Sequence, residues 1–221
     1  MLVTFSDRHG GKSQGAYSSL NLGDHVGDSP ADVLSNRQFV EAQHGRVQFM
    51  NQVHGDRIAI IEEVSDQPPT ADALITGIPG ITLAVMVADC IPLILTSREV
   101  VAAVHVGRRG LVNQVALKTI EVMREMGGAD ISATIGPAIC GSCYEVSADV
   151  HQEVISDFPL ADSRTRTGSL ALDLTRALTG ALEGVGVSIK PLPSRCTVED
   201  RDLFSYRRDG VTGRQAGLVR L

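Results

Sequence analysis

Three residues stand out among those whose side chains can hold a metal or drive nucleophilic chemistry, because each stands at the end of an apolar run. His54 follows VQFMNQV, Cys90 interrupts ITLAVMVADCIPLIL, and His105 closes VVAAVH. If those runs are neighbouring strands, their ends converge on one point. One thiolate and two imidazoles then supply three legs of a tetrahedral zinc site with the fourth position open, as in catalytic zinc sites. Zinc held this way activates water or polarises a substrate. The same atoms admit a Cys90–His105 nucleophile and base. They also admit a reading in which thiol and imidazoles only pack. The separations match no short zinc motif, so spacing alone leaves the three readings open.

Other groups are less specific. Cys140 and Cys143 form C-x-x-C in GPAICGSCYEV. No second C-x-x-C completes four ligands, and no thioredoxin-like pattern precedes it, so structural thiols are the expectation. Cys196 is expected in the core. Arg207, Arg208 and Arg214 cluster among glycines in SYRRDGVTGRQAG. Arginine forks suit phosphate or carboxylate, although a solvated turn with Arg–Asp pairs would look the same. Arg8 beside Gly10-Gly11 and the Asn36-Arg37 pair are further anion candidates. Walker, Rossmann and nucleophile-elbow motifs are absent.

These residues need a scaffold. The continuous hydrophobicity of Ala73–Thr76, Ile81–Val87, Ile91–Thr96 and Val100–His105 predicts strands covered on both faces. Val47–Val53 and Arg57–Glu63 read as two strands joined by a hairpin-like turn at His54-Gly55-Asp56. Shorter strands are expected near Val3–Phe5, Ile131–Ile135, Gly184–Ile189 and Gly217–Leu221. Ser29-Pro30 opens a helix through about Gln43. Leu111–Met126, Ser147–Phe158 and Leu172–Leu182 are further helices, the last capped by Asp173 or a neighbour. The Gly-, Ser- and Asp-rich stretch from Ser6 to Asp28 is a long irregular segment, a feature often tied to function.

Composition bounds the rest. With 221 residues, 43% hydrophobic and 21% charged, the chain reads as one globular domain over residues 1–221. A formal net charge of −6 gives no global attraction to nucleic acid or an anionic membrane. The longest apolar stretch is interrupted by Asp89 and too short to span a bilayer. The N-terminus lacks a secretory pattern and four cysteines make no disulfide scaffold, so a cytoplasmic location is expected. A monomer is the default.

The motifs occur together in a recognisable order: SDRHGG and YSSLNLGDHVGD within 6–28, NR at 36–37, NQVHG at 51–55, ADALIT at 71–76, VADCIPLIL at 87–95, AVHVGRRGL at 103–111, IGPAICGSCYEV at 135–146 and SYRRDGVTGRQAGL at 205–218. The sequence thereby resembles the YfiH/YlmD family, also called the multicopper polyphenol oxidoreductase or laccase-like family, across nearly its whole length. The resemblance implies an α+β single domain of two packed mixed β-sheets covered by helices. It implies His54, Cys90 and His105 as zinc ligands and catalytic residues. It also implies phosphorolysis of adenosine, guanosine, inosine and 5′-methylthioadenosine to base and sugar 1-phosphate, with adenosine deamination as a second activity. Phosphate would be held by Arg8, Arg37 or the Arg207–Arg208 pair. Asn51 and Gln52 would bind substrate or orient the ligands, and Asp72, Asp89 or Glu145 would carry protons in deamination. One departure stands out: Arg108 occupies the place of a family Trp, adding a cation near the site. Rival readings are a Cys–His amidase editing peptidoglycan precursors and a copper-dependent polyphenol oxidase. A full laccase cluster needs about ten histidines, and the chain has six.

Overall fold

The computed structural model describes residues 1–221 as an α/β/β/α stack. One mixed sheet has four strands: β1 (Leu2–Phe5), β2 (Val47–Gln48), β5 (Thr82–Val87) and β12 (Gln215–Arg220), in the order β1-β12-β5-β2. A second has six: β3 (Ile58–Ile60), β4 (Ala73–Thr76), β6 (Ile91–Thr96), β7 (Val101–Val106), β8 (Ser132–Ile135) and β11 (Ser188–Ile189), in the order β11-β8-β6-β7-β4-β3. A small antiparallel ribbon joins β9 (Asp162–Arg164) to β10 (Leu170–Leu172).

Alternation along each strand explains the continuous apolar runs. In β5, Leu83, Val85 and Val87 face Leu74, Ile94, Val101 and Ala103 of the other sheet, while Ala84 and Met86 face the opposite side. That opposite side is covered by α1 (Pro30–His44) and by Leu20 and Leu22 of the long N-terminal segment. Across the molecule, Ile91, Leu93, Leu95, Ala102, Val104 and Val106 meet α2 (Arg108–Val112), α3 (Val115–Glu125), α4 (Ala148–Asp157) and α5 (Leu174–Gly184). Both faces of the central strands are therefore buried, and each fully buried aliphatic side chain contributes about 1.5–3 kcal/mol.

The capping signals hold. Ser29 accepts from the Asp32 amide with Pro30 in the first turn, and Asp173 accepts from Arg176 N at 2.9 Å. Four expectations need correction. The runs around His54 form no hairpin: β2 pairs with β5 in one sheet and β3 with β4 in the other, so His54 lies where the chain crosses between sheets. The helix read over Leu111–Met126 starts at Arg108 and breaks at Gln114, whose φ of 58° is left-handed, giving α2 and α3. Residues 170–172 pair with β9 before α5 begins. Cys196 is only half-buried, next to the Ala138–Cys196 bridge that joins two loops. No helix is long and apolar enough to cross a membrane.

Candidate active site

The site is built outward from a carboxylate. Asp72, fully buried just before β4, takes the Nδ1–H of His105 at 2.8 Å, and its backbone carbonyl takes the His105 amide at 2.8 Å. Its oxygens also accept the amides of His54 (2.9 Å), Gly55 (2.7 Å) and Val53 (3.3 Å). Burial works against the Asp72 charge, but the bonds from His105 and from these amides outweigh it and hold the carboxyl below its usual range. One side chain thus fixes the tautomer of His105, leaving Nε2 to face outward, and clamps the crossing loop that carries His54 at a left-handed φ of 58°.

Cys90 completes the group. It follows Asp89, whose φ of 102° turns the chain into β6. The Cys90 Sγ lies 3.7 Å from His54 Nε2, and the two imidazoles meet edge to face at 4.6 Å. The donor atoms of His54, Cys90 and His105 all fall within 4.8 Å of one another. Donors around a tetrahedral zinc stand about 3.4–3.6 Å apart, so the trio fits such an ion with small side-chain adjustment. Gly107 makes the approach feasible: a Cβ there would stand 3.0 Å from Cys90 Sγ and 3.2 Å from His54 Cδ2. Burial pushes the Cys90 thiol up, but the His105 charge and the bonds from both histidines pull it down to about 6. Burial likewise disfavours charge on His105, yet Cys90 and Asp72 raise it to about 9. Without a metal the pair is a thiolate and an imidazolium.

The trio borders a cleft of about 450 Å³, in the size range of small-molecule sites. Its lining includes Gln52, Met86, Asp89, Ile139, Tyr144 and Arg207, with His25, Tyr206 and Arg214. Burial and the Cys90 thiolate push the Tyr144 phenol above its ordinary value, keeping it a hydrogen-bond donor.

The expected substrate residues divide. Gln52 lines the cleft, although its amide bonds Met86 N and O at 2.8 and 2.7 Å and so pins the His54 segment to β5. Arg207 lines it too, stacked 5.1 Å from the Tyr144 ring centre and donating to Glu145 O at 2.8 Å. The others do not reach it. Asp72 is wholly consumed behind His105. Arg208 donates to the carbonyls of Thr197, Asp200 and Leu203 and to Asp209, bracing a loop. Arg8 donates to Ser18 O and stacks on Phe204; Arg37 donates to Leu22 O and pairs with Asp24. Asn51 bonds Pro68 O, and the exposed Glu145 presents only its backbone to its neighbours. The cation of Arg108 is answered by Glu153 on α4 at 2.9 Å, outside the cleft lining.

Sequence reasoning passed over His25, Tyr144 and Tyr206. The first lies in the irregular segment that Asn36 organises through bonds to Ser13, Ser19 and Asn21. Arg214 was visible only as part of a basic cluster. Asp89, a carboxylate candidate, accepts from Thr197 Oγ1, Ser205 Oγ and Arg207 N, each at 2.6 Å, so it anchors the C-terminal loop to the cleft.

Residues 2–221 match the family model described as multi-copper polyphenol oxidoreductase laccase. The chain is 42% identical to a purine nucleoside phosphorylase of Corynebacterium glutamicum, over 97% of this chain and 92% of that protein. It is 43% identical to one of Streptomyces coelicolor, over 97% and 93%. Among solved structures, a Neisseria meningitidis protein superposes with a TM-score of 0.90 at 39% identity, covering 99% of this chain and 92% of that one. YlmD from Geobacillus stearothermophilus superposes at 0.87 with 31% identity, covering 99% and 91%. Matched along almost its entire length in sequence and in fold, the chain belongs to the YfiH/YlmD, or multi-copper polyphenol oxidoreductase laccase, family.

Proposed function

We propose that the chain is a zinc-dependent purine nucleoside phosphorylase. The observation that carries the reading is one cleft holding an open-sided His54–Cys90–His105 donor set together with two arginines, Arg207 and Arg214. The names of the relatives supply the reaction class. His54, Cys90 and His105 would hold the ion, which when bound supplies a Lewis acid against a reactant oxygen or nitrogen. Arg207 and Arg214 hold phosphate by charge and forked hydrogen bonds. The Met86 and Ile139 side chains and the Tyr144 ring give the purine an apolar seat with one donor. Phosphate oxygen attacks C1′ of the ribose, the bond from C1′ to the purine nitrogen breaks, and the base leaves with that electron pair and takes up a proton. Phosphorolysis asks the protein for position and charge. Deamination asks in addition for a free carboxylate to move protons, and Asp72, Asp89 and Glu145 are respectively buried, fully hydrogen-bonded and outside the cleft. We therefore read phosphorolysis as the main activity. One chain supplies every group, so a monomer is sufficient.

Product analysis of adenosine turnover with and without phosphate tests this. Ribose 1-phosphate and adenine are expected, only when phosphate is present. Inosine as the main product would replace the reading with deamination. His54→Ala should lose zinc and at least about a hundredfold in rate, and turnover surviving in that metal-free variant would favour a Cys90–His105 hydrolase instead.

A further inference from the structure

A second group of metal donors lies outside the cleft. The Sγ atoms of Cys140, Cys143 and Cys196 and a carboxylate oxygen of Glu199 are all within 4.8 Å of one another. The sequence shows one C-x-x-C; the fold supplies its counterpart in Cys196-x-x-Glu199. Both segments are tight turns. The amides of Cys143 and Tyr144 donate to Cys140 O at 3.0 and 3.1 Å, and those of Glu199 and Asp200 donate to Cys196 O at 3.1 and 2.8 Å. Each turn therefore offers donors from its first and fourth residues. The Ala138–Cys196 bridge sets the turns face to face. Across the gap, Cys140 N donates to Cys196 Sγ at 3.4 Å, and Cys143 Sγ approaches Glu199 Oε1 at 3.5 Å.

We propose that Cys140, Cys143, Cys196 and Glu199 form a second, closed zinc site. Three sulfurs and one oxygen complete a tetrahedron with no position left for substrate, the arrangement of structural zinc. Sulfurs around such an ion stand about 3.8 Å apart, within reach of the observed spacing. Binding releases the thiol protons to solvent and leaves two net negative charges. Arg166 pairs with Glu199, and Arg208 holds the carbonyls of Thr197, Val198 and Asp200 around the second turn. The site staples two segments that serve the cleft. Ile139 and Tyr144 flank the first turn, and Thr197, inside the second, donates to Asp89 next to Cys90. Cys140 and Cys143 are thus ligands, not the inert thiols expected of them.

Zinc content of the full chain, purified under reducing conditions with zinc and freed of loose metal, decides the matter. Two ions per chain are expected. A Cys143→Ser, Cys196→Ser variant should hold one. The reciprocal His54→Ala, Cys90→Ala variant should also hold one, and it keeps the test valid if the first variant fails to fold. Cobalt substitution distinguishes the ligands: the second site has three of the four metal–thiolate bonds, so the reciprocal variant should retain about three quarters of the sulfur-to-cobalt absorption. No ion in the reciprocal variant, or a mass showing a disulfide among these cysteines in the reduced protein, would overturn the proposal. Because the reciprocal variant lacks the cleft donors, its result does not depend on the proposed activity.

Discussion

The donors around Cys90 come from strand ends and a crossing loop; those around Cys143 come from two surface turns. Behind the first stands a buried carboxylate, Asp72, with four donors converging on it. Behind the second stand backbone hydrogen bonds, the Arg208 guanidinium bracing one turn and an exposed Arg166–Glu199 pair, with no buried carboxylate. The thiols respond in opposite directions. Cys90 faces two imidazoles and falls to about 6. Cys143 is pushed up to about 12, by burial first and then by Cys140 and Cys196, whose negative charge opposes its own. A cationic surround prepares the Cys90 thiolate in advance, whereas in the second cluster Cys140 is lowered, against burial, by its neighbours' hydrogen bonds while Cys143 is held protonated until a cation arrives. The first arrangement suits an open site that must keep its geometry through turnover, and the second suits a staple.

The largest break in this contrast should come from Asp72→Ala. It leaves three amides and an imidazole N–H without their acceptor, at a cost of about 3 kcal/mol in a denaturant melt, and metal affinity at the cleft should drop about tenfold to a hundredfold. Glu199→Gln in metal-free protein should shift stability by no more than about 0.5 kcal/mol, because that carboxylate is exposed. Equal losses would mean that both clusters depend on preformed support. Arg207→Met sharpens the functional side: losing a charged hydrogen bond to phosphate, worth about 1.5–3 kcal/mol, should lower kcat/KM for phosphate by about tenfold to a hundredfold while zinc content stays unchanged.

Acidity offers a gentler probe. In metal-free protein the depressed Cys90 thiol contributes stability that is lost as pH falls through about 6. The raised His105 contributes stability that is lost as pH rises through about 9. The two interact, so the pair as a whole should stabilise the fold between those limits and less on either side. Alkylation followed by peptide mapping checks the assignment: at neutral pH Cys90 should react well before Cys143, and a faster Cys143 would reverse the contrast.

What the sequence disclosed follows from how local each signal is. The buried strands, the Ser29 and Asp173 caps and the strand-end positions of Cys90 and His105 depend on neighbours in the chain, and all are legible there. His54 stands out in the sequence although the expected hairpin around it does not form, because nothing in VQFMNQVHGDRIAI tells that its two halves join different sheets. Asp72 reads in the sequence as a free acid able to carry protons, since a lone acid before a strand gives no sign that four donors enclose it. The Cys196-x-x-Glu199 turn was invisible as a partner for Cys140 and Cys143, since only the Ala138–Cys196 bridge brings them together.

The smallest effect expected is that of Arg108→Trp, which restores the bulk that the family resemblance leads one to expect. Arg108 follows Gly107 at the start of α2, and its side chain is 22% exposed beside a Glu153 side chain that is 52% exposed. A pair this open to water contributes about 0.5 kcal/mol, so the melting midpoint should hardly move. The cation also acts on the Tyr144 phenol, where it opposes the upward push of burial and of Cys90. Removing it should raise the apparent pKa of Tyr144 in an ultraviolet titration, and a ring in its place would stand beside Tyr144, which the proposed purine seat includes. The expected outcome is therefore a changed KM for nucleoside with an unchanged KM for phosphate, read from initial rates with each substrate varied in turn. A change in the phosphate KM instead would mean that Arg108, and not only Arg207 and Arg214, reaches the anion.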